Sequence, residues 1–316
     1  MDYTVAIRTL GKAGDKYQKL LNSLAKQTIP PKSINVYIAE GYEIPKETIG
    51  VEKYIYVKKG MVAQRALLYP EVKTEYMLFL DDDVYLPPNA VEMLYKSLMA
   101  QNADVISPDV FPNAERSFCG RLLMAISGRM LSRKDDGIWA YKVMRNSGYS
   151  YNRNPQSGCY LSQTNAGPCF FCSKENFLKI KFEEELWIDQ LTYALGDDQV
   201  MFYKMYKRGL KVLTIFGSGI EHLDAGTARK SEEKEQRIIY SDFFFKTIFW
   251  HRFIYKPETS LFLGMWNIIC ISYTLFFTLF ISLIKIQRKI FCLKFLAIKN
   301  AFSYLKSEAY CNLPKI

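Results

Sequence analysis

The segment that decides the fold is Tyr76-Met77-Leu78-Phe79-Leu80-Asp81-Asp82-Asp83. Its five apolar residues predict a buried strand, so the three carboxylates emerge together at the carboxyl end of that strand. In open α/β sheets, ligands bind at that edge. Three adjacent anions repel one another, and a hard divalent cation with oxygen ligands would neutralise them. The pattern favours a metal site over a solvated acidic turn, which does not need three aspartates.

The composition is that of a large folded chain. The 316 residues are 49% hydrophobic and 15% aromatic, which permits a substantial core and argues against wholesale disorder. The formal net charge of +10 indicates a polyanionic partner such as a nucleotide diphosphate, an anionic membrane or a nucleic acid. An odd number of cysteines, seven, favours a reducing cytosol over a disulfide framework. For the C-x-x-C of Cys169 and Cys172, core packing is favoured over a zinc site, because no second pair is nearby.

Strands and helices alternate through the first half of the sequence. We predict helices that begin at Asp15, which can cap the first one, after Gly60, and at Pro87-Pro88. Strand, helix, strand at this spacing predicts a parallel, doubly wound sheet. Residues 111–164 show weak periodicity and predict loops and short elements over the sheet face. Predicted strands cover residues 4–8, 34–39, 54–57, 76–80, 103–107, 167–172 and 210–215.

A second acidic pair follows Gly196. Asp197 and Asp198 begin a predicted helix that ends at Arg208-Gly209, where glycine suits the left-handed cap. The helix dipole favours carboxylates at this position, so plain capping and a functional role remain alternatives.

His222 is one of only two histidines. It follows the predicted strand 210–215 in a glycine-rich loop, and Arg229 and Lys230 come after it. A structural histidine is the alternative to a functional one.

Taken in order, these motifs resemble the family 2 nucleotide-sugar glycosyltransferases, over about residues 3–230. The resemblance implies an α/β chain of the GT-A type, with a doubly wound mixed sheet, and a bacterial enzyme of cell-envelope glycan synthesis. The motifs are the first strand, the Glu40-Gly41 turn, Gly60-x-x-x-x-Arg65, Phe79-Leu80-Asp81-Asp82-Asp83, Gly196-Asp197-Asp198 and His222.

The resemblance also implies roles for single residues. Asp198 matches the catalytic base, and Asp197 stands where the family has a glutamate that binds the acceptor. The segment at the second strand is Ala39-Glu40, where the family usually has two aspartates. Metal binding is implied for Asp83 and His222, and donor binding for Glu40 near the base, Asp81 near the ribose or base, Asp82, Arg65 near the diphosphate, and Arg229.

The chemistry of sugar transfer fits these residue types. A departing nucleoside diphosphate must be neutralised, which Mg²⁺ or Mn²⁺ on Asp83 and a cation such as Arg65 can do. A base must take the proton of the acceptor hydroxyl, and Asp198 can do so. Direct displacement with one base inverts the anomeric centre.

The C-terminal part predicts attachment to a membrane. Residues 259–284 carry no charge and are long enough to cross a bilayer core. Basic residues flank this run on both sides, which favours a re-entrant or in-plane hairpin over a single span. A buried core helix is the third alternative. We therefore expect a catalytic domain at 1–240 and a membrane-associated region at 241–316, on the cytoplasmic face, with a lipid-linked acceptor.

Three other functions are weaker. A haloacid-dehalogenase-like phosphatase would use Asp81 as nucleophile, but its motif normally opens a chain, whereas three predicted strands precede it here. A non-catalytic, membrane-attached nucleotide-sugar-binding protein would not need both Asp83 and Asp198. Nucleic-acid binding is disfavoured because the basic residues concentrate beside apolar, membrane-like sequence.

Overall fold

The computed structural model of the chain describes residues 1–110, 117–146, 148–152, 155–191, 195–223 and 231–316. Twelve strands lie in these ranges. They are β1 (Tyr3–Thr9), β2 (Ser33–Ala39), β3 (Glu52–Val57), β4 (Tyr76–Asp81), β5 (Val84–Tyr85), β6 (Val105–Pro108), β7 (Trp139–Val143), β8 (Tyr149–Tyr151), β9 (Gly158–Ser162), β10 (Cys169–Ser173), β11 (Val212–Phe216) and β12 (Glu221–His222).

Ten of these strands form one sheet in the order β3-β2-β1-β4-β10-β6-β11-β9-β7-β8. β1 pairs in parallel with β2 and β4, and β2 with β3, whereas β10 runs antiparallel between β4 and β6. The sheet is therefore mixed and mostly parallel on the β1 side, which confirms the GT-A type of α/β fold. β5 and β12 pair separately as a two-stranded ribbon.

Helices cover both faces of the sheet and form the C-terminal part. Besides the α-helices, a 3₁₀ helix spans Phe182–Gln190 and a π-helix spans Trp250–Tyr255. The α-helices are α1 (Asp15–Ala25), α2 (Ala90–Ala100), α3 (Phe118–Ile126), α4 (Lys174–Leu178), α5 (Asp197–Lys207), α6 (Glu232–Phe249), α7 (Leu261–Ile284), α8 (Arg288–Tyr304) and α9 (Glu308–Cys311).

Two predicted helix features are wrong. Asp15 does not cap α1: it is the first helical residue, after Gly14, and no side-chain cap bond is made. The segment after Gly60 forms turns instead of a short helix. There the Asp189 carboxylate accepts the backbone N–H groups of Val62 and Ala63, at 2.9 Å each, which fixes the turn.

The middle segment is more regular than its sequence indicates. Residues 111–164 contribute α3 and three strands, β7 to β9, which extend the sheet beyond β11 instead of looping over its face. These strands have three to five residues and are largely half-buried, so they carry little apolar alternation.

The two cysteines of the C-x-x-C pack in the core on opposite sides of the sheet. Cys169 belongs to the apolar cluster that includes Leu20 and Leu94, and Cys172 to the cluster that includes Phe177 and Phe202. Burial raises the pKa of both thiols. Core packing is thus confirmed for this pair.

The predicted domain boundary at residue 240 falls inside α6, which continues into the π-helix. Phe245, Phe249 and Phe253, all beyond that boundary, share one apolar cluster with Phe79 and Phe170 of the sheet. The start of the C-terminal region is therefore part of the core that supports the sheet.

A buried ionic group joins the C-terminal region to the sheet, and we call it the tail cluster: Glu184, Glu185, Lys204 and Arg252. Glu185 is completely buried and accepts from Arg252 Nη2 at 2.9 Å and from Lys204 Nζ at 3.0 Å. Lys204 also bonds Glu184 at 2.9 Å. Each charge therefore has an opposite partner, as burial requires.

α7 and α8 form a helical hairpin. Phe243 and Trp250, Ile271 and Leu275, and Ala297 make an apolar cluster among α6, the π-helix, α7 and α8. Within the described residues, α7 is the one helix long and apolar enough to cross a membrane, and 28% of its apolar stretch is buried in the fold.

Candidate active site

The three aspartates lie at the carboxyl edge of the sheet, as their position after β4 predicts. Asp81 ends β4, and Asp83 leads into β5, which pairs with β12 so that Val84 lies opposite His222. This pairing brings His222 Nε2 to 3.1 Å from Asp83 Oδ2. Two residues 139 positions apart in sequence (222 − 83) are therefore neighbours because of the ribbon.

Arg8 and Arg65 both bind Asp81. The parallel register of β1 and β4 sets Arg8 opposite Asp81, and its Nη2 donates to Asp81 Oδ2 at 3.0 Å. Arg65 Nη2 donates to Asp81 Oδ1 at 3.0 Å. Burial alone would raise the pKa of the Asp81 carboxyl, but the two guanidinium groups outweigh it and hold that pKa below its ordinary value.

The second acidic pair joins the same group. Arg65 Nη1 donates to Asp198 Oδ1 at 2.7 Å and to Asp197 Oδ2 at 3.1 Å, and Arg8 Nη1 lies 3.3 Å from Asp197 Oδ2. We call Arg8, Arg65, Asp81, Asp197 and Asp198 the edge cluster. Burial, followed by the nearby Asp198 carboxylate, raises the pKa of Asp197 to about 6. The Asp197 side chain is 5% exposed and that of Asp198 29%, so Asp198 is the accessible member of the pair.

Two glycines allow this close packing. A Cβ on Gly167 would lie 2.0 Å from Asp198 Oδ1 and 2.8 Å from Arg65 Nη1. Gly196 precedes α5 with φ of +90°, and a Cβ there would lie 2.1 Å from the Phe245 ring. Because residues 167 and 196 are glycines, Asp198 can lie this close to residue 167 and the start of α5 can lie this close to the Phe245 ring.

Arg65 lies beneath the carboxylates of the edge cluster, and it does not line the open cavity at the carboxyl edge of the sheet. It is 3% exposed, and its remaining Nη2 bond goes to the Gly167 carbonyl at 2.5 Å. The resemblance implies that Arg65 lies near a diphosphate. In the structure, its guanidinium donates hydrogen bonds to Asp81, Asp197 and Asp198 and to the Gly167 carbonyl.

A cavity of about 610 Å³ opens beside the aspartates. Lys12 and Lys59 line this cavity. Their ammonium groups lie 4.9 and 5.0 Å from the centre of the Tyr42 ring. Lys59 also donates to Tyr42 Oη at 2.8 Å. The cavity is lined by Arg8, Thr9, Leu10, Lys12, Ala13, Lys59, Gly60, Met61, Gln64, Asp81, Asp82, Asp83, Asp189 and His222.

The other predicted site residues lie as follows. Asp82 lines the cavity and accepts a hydrogen bond from the Thr9 hydroxyl; burial raises its pKa to about 6. Glu40 is exposed at the end of β2, outside the cavity lining. Asp197 and Asp198 are also outside that lining. Arg229 falls outside the described residues.

A divalent cation fits the residues at Asp83. Within the described ranges, no group of three or more His, Cys, Asp or Glu side chains forms a cage for a metal ion. Mg²⁺ needs no such cage, since it is usually held through one or two carboxylates together with substrate phosphates and water. Asp83 supplies such a carboxylate at the cavity wall, and His222 lies beside it as a further ligand that Mn²⁺ could use.

Sequence reasoning gave no role to Arg8, Lys12 and Lys59. Arg8 carries a usable signal, because it is a charged residue near the end of an otherwise apolar strand, just as Asp81 is. Lys12 and Lys59 lie in loops among many other lysines, and only the folded chain brings them to one cavity.

One family model matches the chain. The model for glycosyl transferase family 2 matches residues 17–179, which is just over half of the 316 residues. The matched range contains Arg65 and the three aspartates after β4, whereas Arg8, Asp197, Asp198 and His222 lie outside it. No curated protein sequence matches this chain.

Proposed function

The chain belongs to glycosyl transferase family 2, and from that premise we propose that it transfers a sugar from a nucleoside diphosphate to a lipid-linked glycan acceptor, with inversion and with Mg²⁺ or Mn²⁺. The observation that carries this proposal is the cavity at the carboxyl edge of the sheet. Its lining includes the three consecutive aspartates Asp81, Asp82 and Asp83 and two lysines, which suits a diphosphate bound together with a divalent cation.

Asp83 and His222 are the residues that would hold the cation. A metal ion bound there supplies positive charge to the diphosphate as it leaves the sugar. Asp82 and Asp81 add negative charge beside the site, and Asp81 is kept ionised by Arg8 and Arg65.

Lys12 and Lys59 are the residues that we assign to the donor phosphates. Both are exposed at the cavity, and in the described residues neither forms a salt bridge with an acidic side chain. The guanidinium of Arg65 already donates to three aspartates of the edge cluster. We therefore assign Arg65 the role of positioning Asp198 and not that of binding the phosphates.

Asp198 is the proposed general base. Arg65 holds one of its carboxylate oxygens, and its side chain is the more exposed of the acidic pair. In the transfer, the acceptor hydroxyl attacks the anomeric carbon, its proton passes to Asp198, and the bond to the diphosphate oxygen breaks. Direct displacement of this kind inverts the anomeric centre.

α7 supports the proposed acceptor and location. An exposed apolar helix of 24 residues suits a bilayer, and a lipid-linked acceptor presents its hydroxyl close to that surface. We propose a cell-envelope glycan made at the cytoplasmic face of the membrane.

The phosphatase alternative has less support. Its nucleophile would be Asp81, yet both oxygens of Asp81 accept hydrogen bonds from Arg8 and Arg65. Such a carboxylate is poorly placed to attack phosphorus.

The test is a hydrolysis and binding screen of UDP-, GDP- and dTDP-sugars with Mg²⁺ or Mn²⁺. We expect one donor to release its nucleoside diphosphate. Calorimetry should show metal-dependent binding of that diphosphate to the wild type and its loss in Asp83→Ala, with the melting temperature unchanged. Equal affinity in both proteins would contradict the role of Asp83, and release of inorganic phosphate from simple phosphoesters would favour the phosphatase.

A further inference from the structure

α3 is an apolar helix whose residues are largely exposed. None of its nine residues is buried, and Phe118 and Leu122 are 72% and 50% exposed. Phe118, Leu122 and Ile126 recur every fourth residue, so they lie along one face. An isolated helix of this length is marginal in water, and helices are stabilised mainly by covering their apolar face. The exposed apolar face of α3 is therefore available to a surface outside the chain.

α3 is held at its C-terminal end. Ser150 Oγ donates to the Gly128 carbonyl at 2.6 Å, and Asn146 Nδ2 donates to the Ser127 carbonyl at 3.1 Å. These bonds attach the end of α3 to the β7–β8 hairpin. The helix is thus fixed in place although none of its residues is buried.

α3 also touches α7. Tyr273 Oη donates to the Ile126 carbonyl at 3.1 Å, and Arg145 of the hairpin donates to Asn267 Oδ1 at 2.6 Å. α7 exposes Trp266 and Phe276 among many other large apolar side chains. The two helices therefore present neighbouring apolar surfaces.

The charged side chains of α3 and of the eight residues after it are all positive. Between residues 117 and 134 the charged side chains are Arg121, Arg129, Arg133 and Lys134, all exposed, and the first acidic residue is Asp135. Two copies that paired through this face would bring these cations together, which is unfavourable. An apolar stripe edged by cations is typical of helices that lie on anionic lipid.

We propose that α3 is a second membrane contact, which lies on an anionic lipid bilayer beside α7. This rests on the membrane location in the proposed function and adds a segment far from the C-terminal region. Two elements that bind the bilayer, one in the sheet domain and one in the tail, would fix the orientation of the sheet relative to the surface.

The test uses the full chain in nanodiscs that contain anionic lipids with brominated acyl chains, which quench nearby tryptophans. Leu122→Trp adds a tryptophan on α3, and its signal is the difference from the wild type. We expect quenching of more than half of this signal. Met99→Trp, at an exposed apolar position at the end of α2, is the matched control and should be unquenched.

Trp266 on α7 separates the possible failures, and its signal is obtained by comparison with Trp266→Phe. If Trp266 is quenched but the tryptophan at 122 is not, the inference about α3 is wrong while the membrane location stands. If neither is quenched, the membrane part of the proposed function fails as well. Protection of position 122 by a second copy, seen as a concentration-dependent change without quenching, would also overturn the proposal.

Discussion

The edge cluster and the tail cluster use the same kinds of side chain but differ in charge balance. The edge cluster sets three aspartates against two arginines, and Asp82 and Asp83 adjoin it at an open cavity. The tail cluster sets two glutamates against one lysine and one arginine, and its central carboxylate is completely buried.

This difference in charge balance distinguishes the edge cluster, which we consider functional, from the tail cluster, which we consider structural. Buried charges are tolerated when they are paired and hydrogen-bonded, and the tail cluster meets that condition within the chain. The edge cluster keeps more carboxylates than arginines beside an open cavity, so it is suited to bind a cation from outside. Changes at the edge should therefore alter turnover, and changes in the tail cluster should alter stability.

The largest expected effect is on turnover. Asp198→Asn keeps the size of the side chain, and its amide oxygen can still accept from Arg65, but it cannot take a proton. We expect turnover to fall by roughly 10²- to 10⁴-fold, with donor affinity and melting temperature little changed. Steady-state kinetics with saturating donor measure the first, and calorimetry the second.

Asp104→Asn is the control, since Asp104 is a partly buried carboxylate at the start of β6, away from the cavity. It should leave turnover unchanged. Near-normal turnover in Asp198→Asn would place the base elsewhere. Asp189 and Asp197 would be tested next, although Asp189 accepts two backbone N–H groups and Asp197 is buried.

The next effect concerns stability. Arg252→Ala removes two bonds to Glu185 and one to the Pro314 carbonyl, and it leaves the Glu185 carboxylate buried with one fewer cation. Breaking a buried pair costs about 3–5 kcal/mol. We expect the free energy of unfolding in detergent to fall by that amount.

Arg237→Ala is the matched control on α6. Its guanidinium pairs with Glu233 at 2.5 Å, but both side chains are exposed, so little stability should be lost. Equal losses in the two variants would show that the tail cluster contributes no more than a surface pair.

The same comparison shows what sequence can predict. The strand before Asp81 and the helix after Gly196 are local patterns, so the acidic ends of both were predictable. The partners of these acids were not, because Arg8 reaches Asp81 through strand register and Arg65 reaches Asp198 across 133 positions. Long-range pairing of this kind leaves no local signal.

The C-terminal region shows the same limit of sequence reasoning. Arg252 follows an aromatic segment and precedes the apolar run, and by composition this position is typical of a basic flank of a membrane element. In the fold it pairs with Glu185, 67 positions earlier. The composition of the chain changes near residue 240, but α6 continues through this residue and packs against the core beyond it. Composition alone cannot show which face of α6 is covered.

The smallest expected effect concerns the two lysines at the cavity. Lys12→Ala and Lys59→Ala each remove an exposed cation that we assign to the donor phosphates. An exposed ion pair contributes up to about 1 kcal/mol, so each variant should bind the nucleoside diphosphate about fivefold more weakly. Calorimetry at low salt measures this, and higher salt should reduce the difference.

Lys58→Ala is the matched control, because Lys58 is exposed, adjacent in sequence and outside the cavity lining. It should bind the diphosphate as the wild type does. The free nucleoside provides a second comparison, since loss of a phosphate contact should leave its affinity unchanged. If the lysine variants weaken nucleoside and diphosphate equally, the lysines act through Tyr42 and the shape of the cavity. If neither ligand is affected, the lysines do not bind the donor phosphates, and the metal ion alone must neutralise their charge.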